Sequence, residues 1–577
     1  MTQQDRTATN GNLMNILGGE FAARADTDER VRSYVLPKAI LWQSEEPETA
    51  VENAACLLVN RSGQVIVGAQ DCCLLHNRGA QAGLLLDFGV ELQGGIQILA
   101  HSIESDCRSF RIRVRFGESA MEAMSDIGTD TNATNDHAIR DSIHDVCSMG
   151  CTEIGNTGFR FVRIDLIEGG SIAIEEARAV FAHRDIAFRG SFECSDPLLN
   201  KIWRTAAYTV FLNMQRYLWD GIKRDRIVWI GDMHPETSTI QAVFGSDPVV
   251  PKSLDFVRDT TPLPQWMNGI PSYSMWWVLL HHSWYMQNGD TAYLMEQKQY
   301  LLGLMALLAA SVDCDGRSCP DGNTFMDWPS SPNTAAVEAG VHALHAWSMD
   351  TGAMLLNELG EGSLAAQCKA IAAKMRAFPR HHNGSKQAAA LMALAGLADP
   401  ADINNALLAV GGAKGLSSFY GYYVLQARAM AGDIVGCLDN IRDYWGGMLS
   451  LGATSFWEDF DIDWLKNAAP IDEIVNDGRV DVHGTYGGYC YKGYRHSLCH
   501  GWASGPAAWL SEHVLGVKVL EPGCKSVLIE PRLGDLQWAR GTYPTPHGVI
   551  WLEHKRMPDG TVSTKAELPP GVKRQFS

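Results

Sequence analysis

The feature that most limits what this chain can fold into is a change of hydrophobic period near residue 191. Between residues 33 and 185, apolar residues alternate or run in short blocks broken by Gly, Asn and Asp, as in LLLDFGVELQGGIQILA, RSFRIRVRFGES and GFRFVRIDLI. A period of two buries one face of a strand, so this region predicts a sandwich of short strands and turns. The polar segment ESAMEAMSDIGTDTNATNDHAIRD, residues 118–141, predicts a long loop. From SDPLLNKIWRTAAYTVFLNM onward the period becomes helical. Leu198, Ile202, Ala206 and Val210 fall on one stripe behind a Ser195-Asp196-Pro197 start signal. YSMWWVLLHHSWYMQ, TAAVEAGVHALHAWSMDTGAMLLNELG and SLAAQCKAIAAKMRAF continue it.

Roughly 320 residues at about 27 per helix and loop make about twelve helices. Twelve helices without intervening strands predict an (α/α)6 barrel. A helical solenoid is the alternative, weakened by the lack of a fixed-period repeat. Alternation returns in KSVLIEPRL, GVIWLEHKRM and GTVSTKAEL. The expected fold is multidomain: an N-terminal β-sandwich over residues 1–190, an (α/α)6 barrel over 191–515 and a small C-terminal β-sheet domain over 516–577.

Charge narrows the partners. Forty-eight Lys and Arg stand against 66 Asp and Glu, a net charge of −18. Nucleic acid, whose phosphates need a basic face, is disfavoured, and so is a polyanionic substrate. A neutral substrate fits best. No run of about 18 apolar residues reads as a membrane span. The first 21 residues, MTQQDRTATNGNLMNILGGEF, lack the basic-then-apolar pattern of a secretory signal, so the expected location is cytoplasmic. The 14 cysteines are scattered; Cys147 and Cys151, and Cys314 and Cys319, are close pairs without a matching second half. Reduced thiols, no metal and no cofactor are expected. A homodimer is allowed.

Residues 220–236, DGIKRDRIVWIGDMHPE, set four acids, three basic residues and a histidine around one tryptophan. Charge flanking a helix is ordinarily a solvated face. Here it is interleaved with Ile227, Val228, Trp229 and Ile230, which forces some of it to a core boundary. Pro235 lacks an amide hydrogen and clashes with a preceding turn, so the stretch predicts a loop entering a helix with Pro235 in its first turn. Carboxylates around an indole suit a neutral sugar: Asp accepts from hydroxyls, Arg donates to oxygens, and the ring covers an apolar face. Glycosidic hydrolysis needs a second carboxyl across the bond. Glu458 in GATSFWEDFDIDW, beside Trp457, is the best candidate. The Asp459/Asp461/Asp463 spacing faintly suggests a calcium loop but lacks its central Gly and closing Glu. His500 and Trp502 in YRHSLCHGWASGP, Trp277 in IPSYSMWW, and Asp327 and Trp328 in FMDWPS are further aromatic–polar candidates. Trp277 at helical spacing is by default a core residue.

At these motifs the chain resembles the α-L-rhamnosidases of glycoside hydrolase family 78. RGSFECSDPLLNKIW resembles that family's entry into its helical domain, and DGIKRDRIVWIGD its acidic signature Asp-Cys-Pro-x-Arg-(Asp/Glu)-(Asp/Glu)-Arg-x-Gly-Trp-x-Gly-Asp. SFWEDF resembles its Trp-Glu element, SLCHGWASGP its Ser-Leu-Asn-His element, and residues 520–548 its C-terminal β domain. The resemblance implies an inverting exo-hydrolase of terminal α-L-rhamnosyl residues, from small glycosides or oligosaccharides, on an (α/α)6 barrel. It implies Asp225 as general acid and Glu458 as general base. It implies sugar contacts at Asp220, Arg224, Trp229, Asp232 and His500. This chain departs in three places: the first signature is one residue shorter, the acid is Asp rather than Glu, and Cys499 stands where the family has Asn. Asp232 and Glu236 remain rivals for the acid. An arginine gripping Asp225 in a bidentate pair would argue against it as acid, because nearby cations favour the ionised form. Two other readings stay open: a phosphorylase or lyase on the same barrel, and a sugar-binding protein with a decayed site.

Overall fold

The computed structural model describes residues 24, 26–45, 50–68, 70–104, 109–128, 130–476 and 478–575. The first 23 residues, on which the signal-peptide reading rests, lie outside the described residues. No helix among the described residues is long and apolar enough to cross a membrane.

The N-terminal region is built on one nine-stranded sheet. Its spine is the 23-residue strand Ala82–Glu104, paired antiparallel with Gly150–Leu166 on one side and Gly170–Arg184 on the other. Register shifts between Asp87 and Leu92 and between Gly94 and Ile96 interrupt the ladder and bend the strand. Alternating Leu84, Leu86, Ile96, Ile98, Ile112, Val114, Ile164 and Leu166 fill a core of their own.

One expectation fails here. Within the polar 118–141 segment, Ala120–Met124 is a short helix whose Ser119 side chain caps the Glu122 amide, and Glu118, Ser119 and Glu122 are all buried. Polarity alone misled, because these groups are satisfied by partners far away in the sequence.

From Pro197 to Val514 the described chain is mainly helical, but residues 451–504 are largely irregular and, against the expectation of no intervening strands, hold the short parallel pair Ala468–Ala469 and Val480–Asp481 and the one-turn helix Val482–Thr485. Twelve longer segments carry the helical part: 197–213, 233–243, 249–260, 271–288, 291–310, 334–358, 362–377, 386–394, 400–408, 421–430, 434–450 and 505–514, where 400–408 and 505–514 each end in a π turn. Their inward stripes, among them Leu199, Trp276, Leu344, Leu391, Trp445 and Trp509, form one continuous core. The C-terminal strands are not a separate core: Val517, Val527, Ile550 and Leu552 belong to the same apolar cluster. The strand Ser191–Cys194, at the entry to the helical region, pairs antiparallel with Trp538–Thr545.

The thiols behave as free cysteines among the described residues. Those in apolar helical patterns, Cys368 and Cys437, are buried, whereas Cys147, Cys151, Cys314 and Cys319 are exposed.

Candidate active site

The acidic signature is an irregular stretch between the helices Pro197–Asn213 and Met233–Val243, and Pro235 falls in the first turn of the second helix. Backbone hydrogen bonds sew it to two distant segments. Gly221 forms an isolated antiparallel bridge with His500, and the Gly501 amide donates to the Asp220 carbonyl at 2.7 Å. The His500 amide donates to Phe456 and the Glu458 amide to Ser497. Three stretches remote in sequence, 220–232, 456–458 and 497–502, thus form one wall.

That wall borders a cavity of about 110 Å³ lined by Asp220, Arg224, Asp225, Trp229, Asp232, Ile270, Tyr273, Asn323, Phe325, Trp328, Glu458, Cys490, His500 and Trp502. Its acids differ in depth. The Asp225 side chain keeps 20% of its surface exposed, against 3% for Asp232 and 3% for Glu458. Asp225 and Arg226 both hold left-handed backbone, with φ of 54° and 59°. Such a conformation costs a non-glycine residue about 1–2 kcal/mol, so the turn is held by its surroundings.

Trp229 Nε1 donates to Asp225 Oδ2 at 2.9 Å. Arg224 does not grip Asp225: its Nη1 stays 3.8 Å from Oδ1, while its Nη2 pairs with Glu458 Oε1. Arg226 turns away to the Asn156 carbonyl at 2.8 Å and packs over Trp219. The bidentate pair that would have argued against Asp225 does not form.

Glu458 Oε2 accepts from the Ser497 amide at 3.2 Å. Burial raises its carboxyl above the ordinary range, and the Arg224 guanidinium opposes that rise. Asp232 is pushed well up by burial and then by Glu458; its oxygens face His500 Nε2 at 3.0 Å and the Tyr273 hydroxyl at 3.3 Å. Burial likewise raises Asp220, with Asp225 and Asp232 adding to it. The His500 imidazole is held well below its usual range by burial and by Arg224, hence neutral at pH 7.

Four candidate positions do not reach the cavity. Trp277 lies one turn below the helix mouth, fully buried, in tilted ring contact with His281 and donating to the Leu254 carbonyl; Tyr273, in the first turn, takes the lining position instead. Trp457 points to the far side of an irregular segment from its neighbour Glu458 and packs on Phe460 and His496. Asp327 is turned inward, where it accepts from the Ser330 amide and the Ser417 hydroxyl and pins the loop that carries Trp328. Glu236 lies one helical turn beneath Asp232, fully buried, with neither carboxyl oxygen hydrogen-bonded. It presses on the backbone at Gly501, where a Cβ would fall 1.6 Å from Glu236 Oε1.

Ile270, Tyr273, Asn323, Phe325 and Cys490 line the cavity without having been singled out in the sequence. Tyr273 and Phe325 sit inside the quoted aromatic motifs, so a signal existed; only the side each faces was illegible. Asp461 caps the Asp463 amide, and Asp463 pairs with Lys414 and Lys466.

A family model described as the bacterial alpha-L-rhamnosidase 6 hairpin glycosidase domain matches residues 187–373, and one described as the bacterial alpha-L-rhamnosidase C-terminal domain matches residues 516–576. The GH78 rhamnosidase of Bacillus sp. GL1 shares the fold with a TM-score of 0.72 at 21% identity, over 91% of this chain and 55% of that one. A Klebsiella oxytoca rhamnosidase solved with rhamnose bound gives 0.64 at 18% identity, over 84% of this chain and 95% of that one. An alpha-L-rhamnosidase of Formosa agariphila is 35% identical over 77 residues, 13% of this chain and 8% of that protein. The chain therefore spans little more than half the length of the Bacillus protein and a small part of the Formosa one. Two family models of bacterial alpha-L-rhamnosidase domains thus match this chain in order, over residues 187–373 and 516–576, and the solved rhamnosidases share its fold along most of its length.

Proposed function

We propose that the protein is an exo-acting α-L-rhamnosidase that cleaves small rhamnosides with inversion, on helices closed into an (α/α)6 barrel beside an N-terminal β-sandwich. The observation that carries this reading is that Asp225 and Glu458, 233 residues apart, border one aromatic-walled cavity and are both approached by Arg224. In an exo site the terminal sugar enters first and the leaving group stays toward the mouth. The proton donor must then be the more exposed carboxyl, which is Asp225. Glu458, deep and facing Arg224, is the base that deprotonates water on the opposite face.

The remaining acids suit binding. Asp220 and Asp232, buried with His500 and Tyr273, form a floor able to exchange hydrogen bonds with sugar hydroxyls. Ile270, Phe325 and Trp328 offer apolar surface to a 6-deoxy methyl group. That contact is worth only about 1 kcal/mol, so the hydroxyl contacts must supply most of the discrimination. Phosphorolysis would call for an anion pocket. Arg224 is the guanidinium that lines the cavity, and it is engaged by Glu458. The test is release of the aglycone from an aryl α-L-rhamnoside, compared with aryl glycosides of other sugars; no turnover above the uncatalysed rate refutes the reading.

A further inference from the structure

Lys223, inside the acidic signature, is buried and does not line the cavity. Its ammonium sits 2.9 Å from Glu118 Oε2 and 3.3 Å from Glu122 Oε1, two carboxylates of the N-terminal region. It also donates to the carbonyls of Tyr494 at 2.8 Å and His496 at 2.6 Å, with His483 Nε2 at 3.5 Å. Glu118, Glu122 and His483 converge closely enough to resemble the donor set of a metal ion, and the lysine's own charge stands among them.

The same Glu118 reaches the other catalytic segment. Its Oε2 accepts from the Leu498 amide at 2.6 Å, next to the Ser497 amide that holds Glu458. One carboxylate of the β region therefore ties together the turn bearing Arg224 and Asp225 and the segment bearing the Glu458 contact. The strained left-handed pair at 225–226 follows Lys223 by two residues. A turn that costs free energy to hold needs anchors, and beside Arg224, paired with Glu458, Lys223 is a second buried and multiply bonded one.

We propose that Lys223 is a positioning residue. Clamped by Glu118 and Glu122, its ammonium acts as a built-in cation that sets both the Asp225 turn and the 497–498 segment under Glu458, so that catalytic geometry depends on the N-terminal region. This rests on the assignment of Asp225 and Glu458 above. Glu91, also buried nearby, neutral His483 and His496, Tyr494, and the guanidinium groups of Arg140 and Arg224 also face this cluster.

The test compares Lys223→Met, Lys223→Arg and Glu118→Gln with the wild type by kinetics on an aryl α-L-rhamnoside, pH profile and amide hydrogen exchange. Misplacement of a catalytic group by about 1 Å can cost roughly 100-fold, so Lys223→Met is expected to lower kcat by ~100-fold with KM changed less than ~5-fold. Exchange should rise in 220–228 and 496–501 together, and the acid limb of kcat/KM should move to higher pH, because Lys223 helps keep Glu458 ionised. Lys223→Arg should recover part of kcat. Near-normal kcat in Lys223→Met, or faster exchange confined to 220–228, overturns the proposal. If Lys223→Met does not fold, Glu118→Gln decides: it keeps an acceptor for Leu498 but loses the charge, and unchanged kcat and pH profile would refute the clamp. A wild type that cleaves no rhamnoside refutes the functional reading instead, and the exchange pattern then decides the positioning claim alone.

Discussion

The indole of Trp229 donates its N–H to Asp225 Oδ2 at 2.9 Å, across a turn in which Asp225 itself holds left-handed backbone. The contact fixes one carboxyl oxygen at the cavity mouth. The other lies 3.4 Å from His137 Nδ1 and 3.8 Å from Arg224 Nη1, at ion-pair rather than hydrogen-bond distance. An acid so oriented can meet a leaving-group oxygen without breaking an arginine fork.

Asp225→Asn is expected to lower kcat by ~100-fold or more on a rhamnoside with a poor leaving group, the usual range for loss of a general acid. The loss should shrink on an aryl rhamnoside whose leaving group needs little protonation. Glu458→Gln should lose at least ~100-fold on both. Steady-state kinetics on the two substrate types check this. Equal losses for Asp225→Asn on both would assign the proton to another group, with Asp232 next in line.

Arg224 counters the effect of burial on Glu458. Its removal in Arg224→Leu should raise the Glu458 pKa further, because a neighbouring opposite charge is lost. A base works only when ionised, so the acid limb of kcat/KM should move to higher pH. Stability should also fall by about 3–5 kcal/mol, because a buried partner is left uncompensated. A pH–rate profile and a denaturant melt read the two effects separately.

Glu236 predicts an opposite sign for stability. Burial, then Asp232 and Asp220, hold its folded pKa well above 4.5. A raised folded pKa means that the folded state binds the proton more tightly than the unfolded chain. The stabilisation is full below the unfolded pKa and is lost as pH rises through the folded one. Glu236→Gln removes that loss, so at pH 7 and above it should be more stable than the wild type by on the order of 1 kcal/mol. Near pH 4 the difference should vanish. Thermal melts at both pH values check it.

The two tryptophans at 277 and 328 separate packing from binding. Trp277→Ala should cost about 3–5 kcal/mol of stability, the usual figure for a large buried side chain. Trp328→Ala should melt near the wild type and show its loss in KM. Melting curves alongside kinetics distinguish them.

How much of this was legible in the sequence depended on distance along the chain. Asp220, Arg224, Asp225, Trp229 and Asp232 lie within thirteen residues, and one irregular loop delivers them all to the cavity. The change to helical period located the start of the helical region because amphipathic spacing is a local property, whereas the number of helices came from the length of the region alone. Facing was harder. Trp277 and Tyr273 are one helical turn apart, and only the helix's position decides which of them meets the cavity. The buried Glu118 and Glu122 were unreadable, since a carboxylate's burial depends on a lysine about a hundred residues downstream.

The most direct test of the account is proton NMR of the first sugar released from an aryl α-L-rhamnoside, observed before mutarotation. Asp225 and Glu458 acting as acid and base across a water predict β-L-rhamnose as the initial product. Initial α-L-rhamnose would mean a covalent intermediate on one of these carboxyls and would contradict the account.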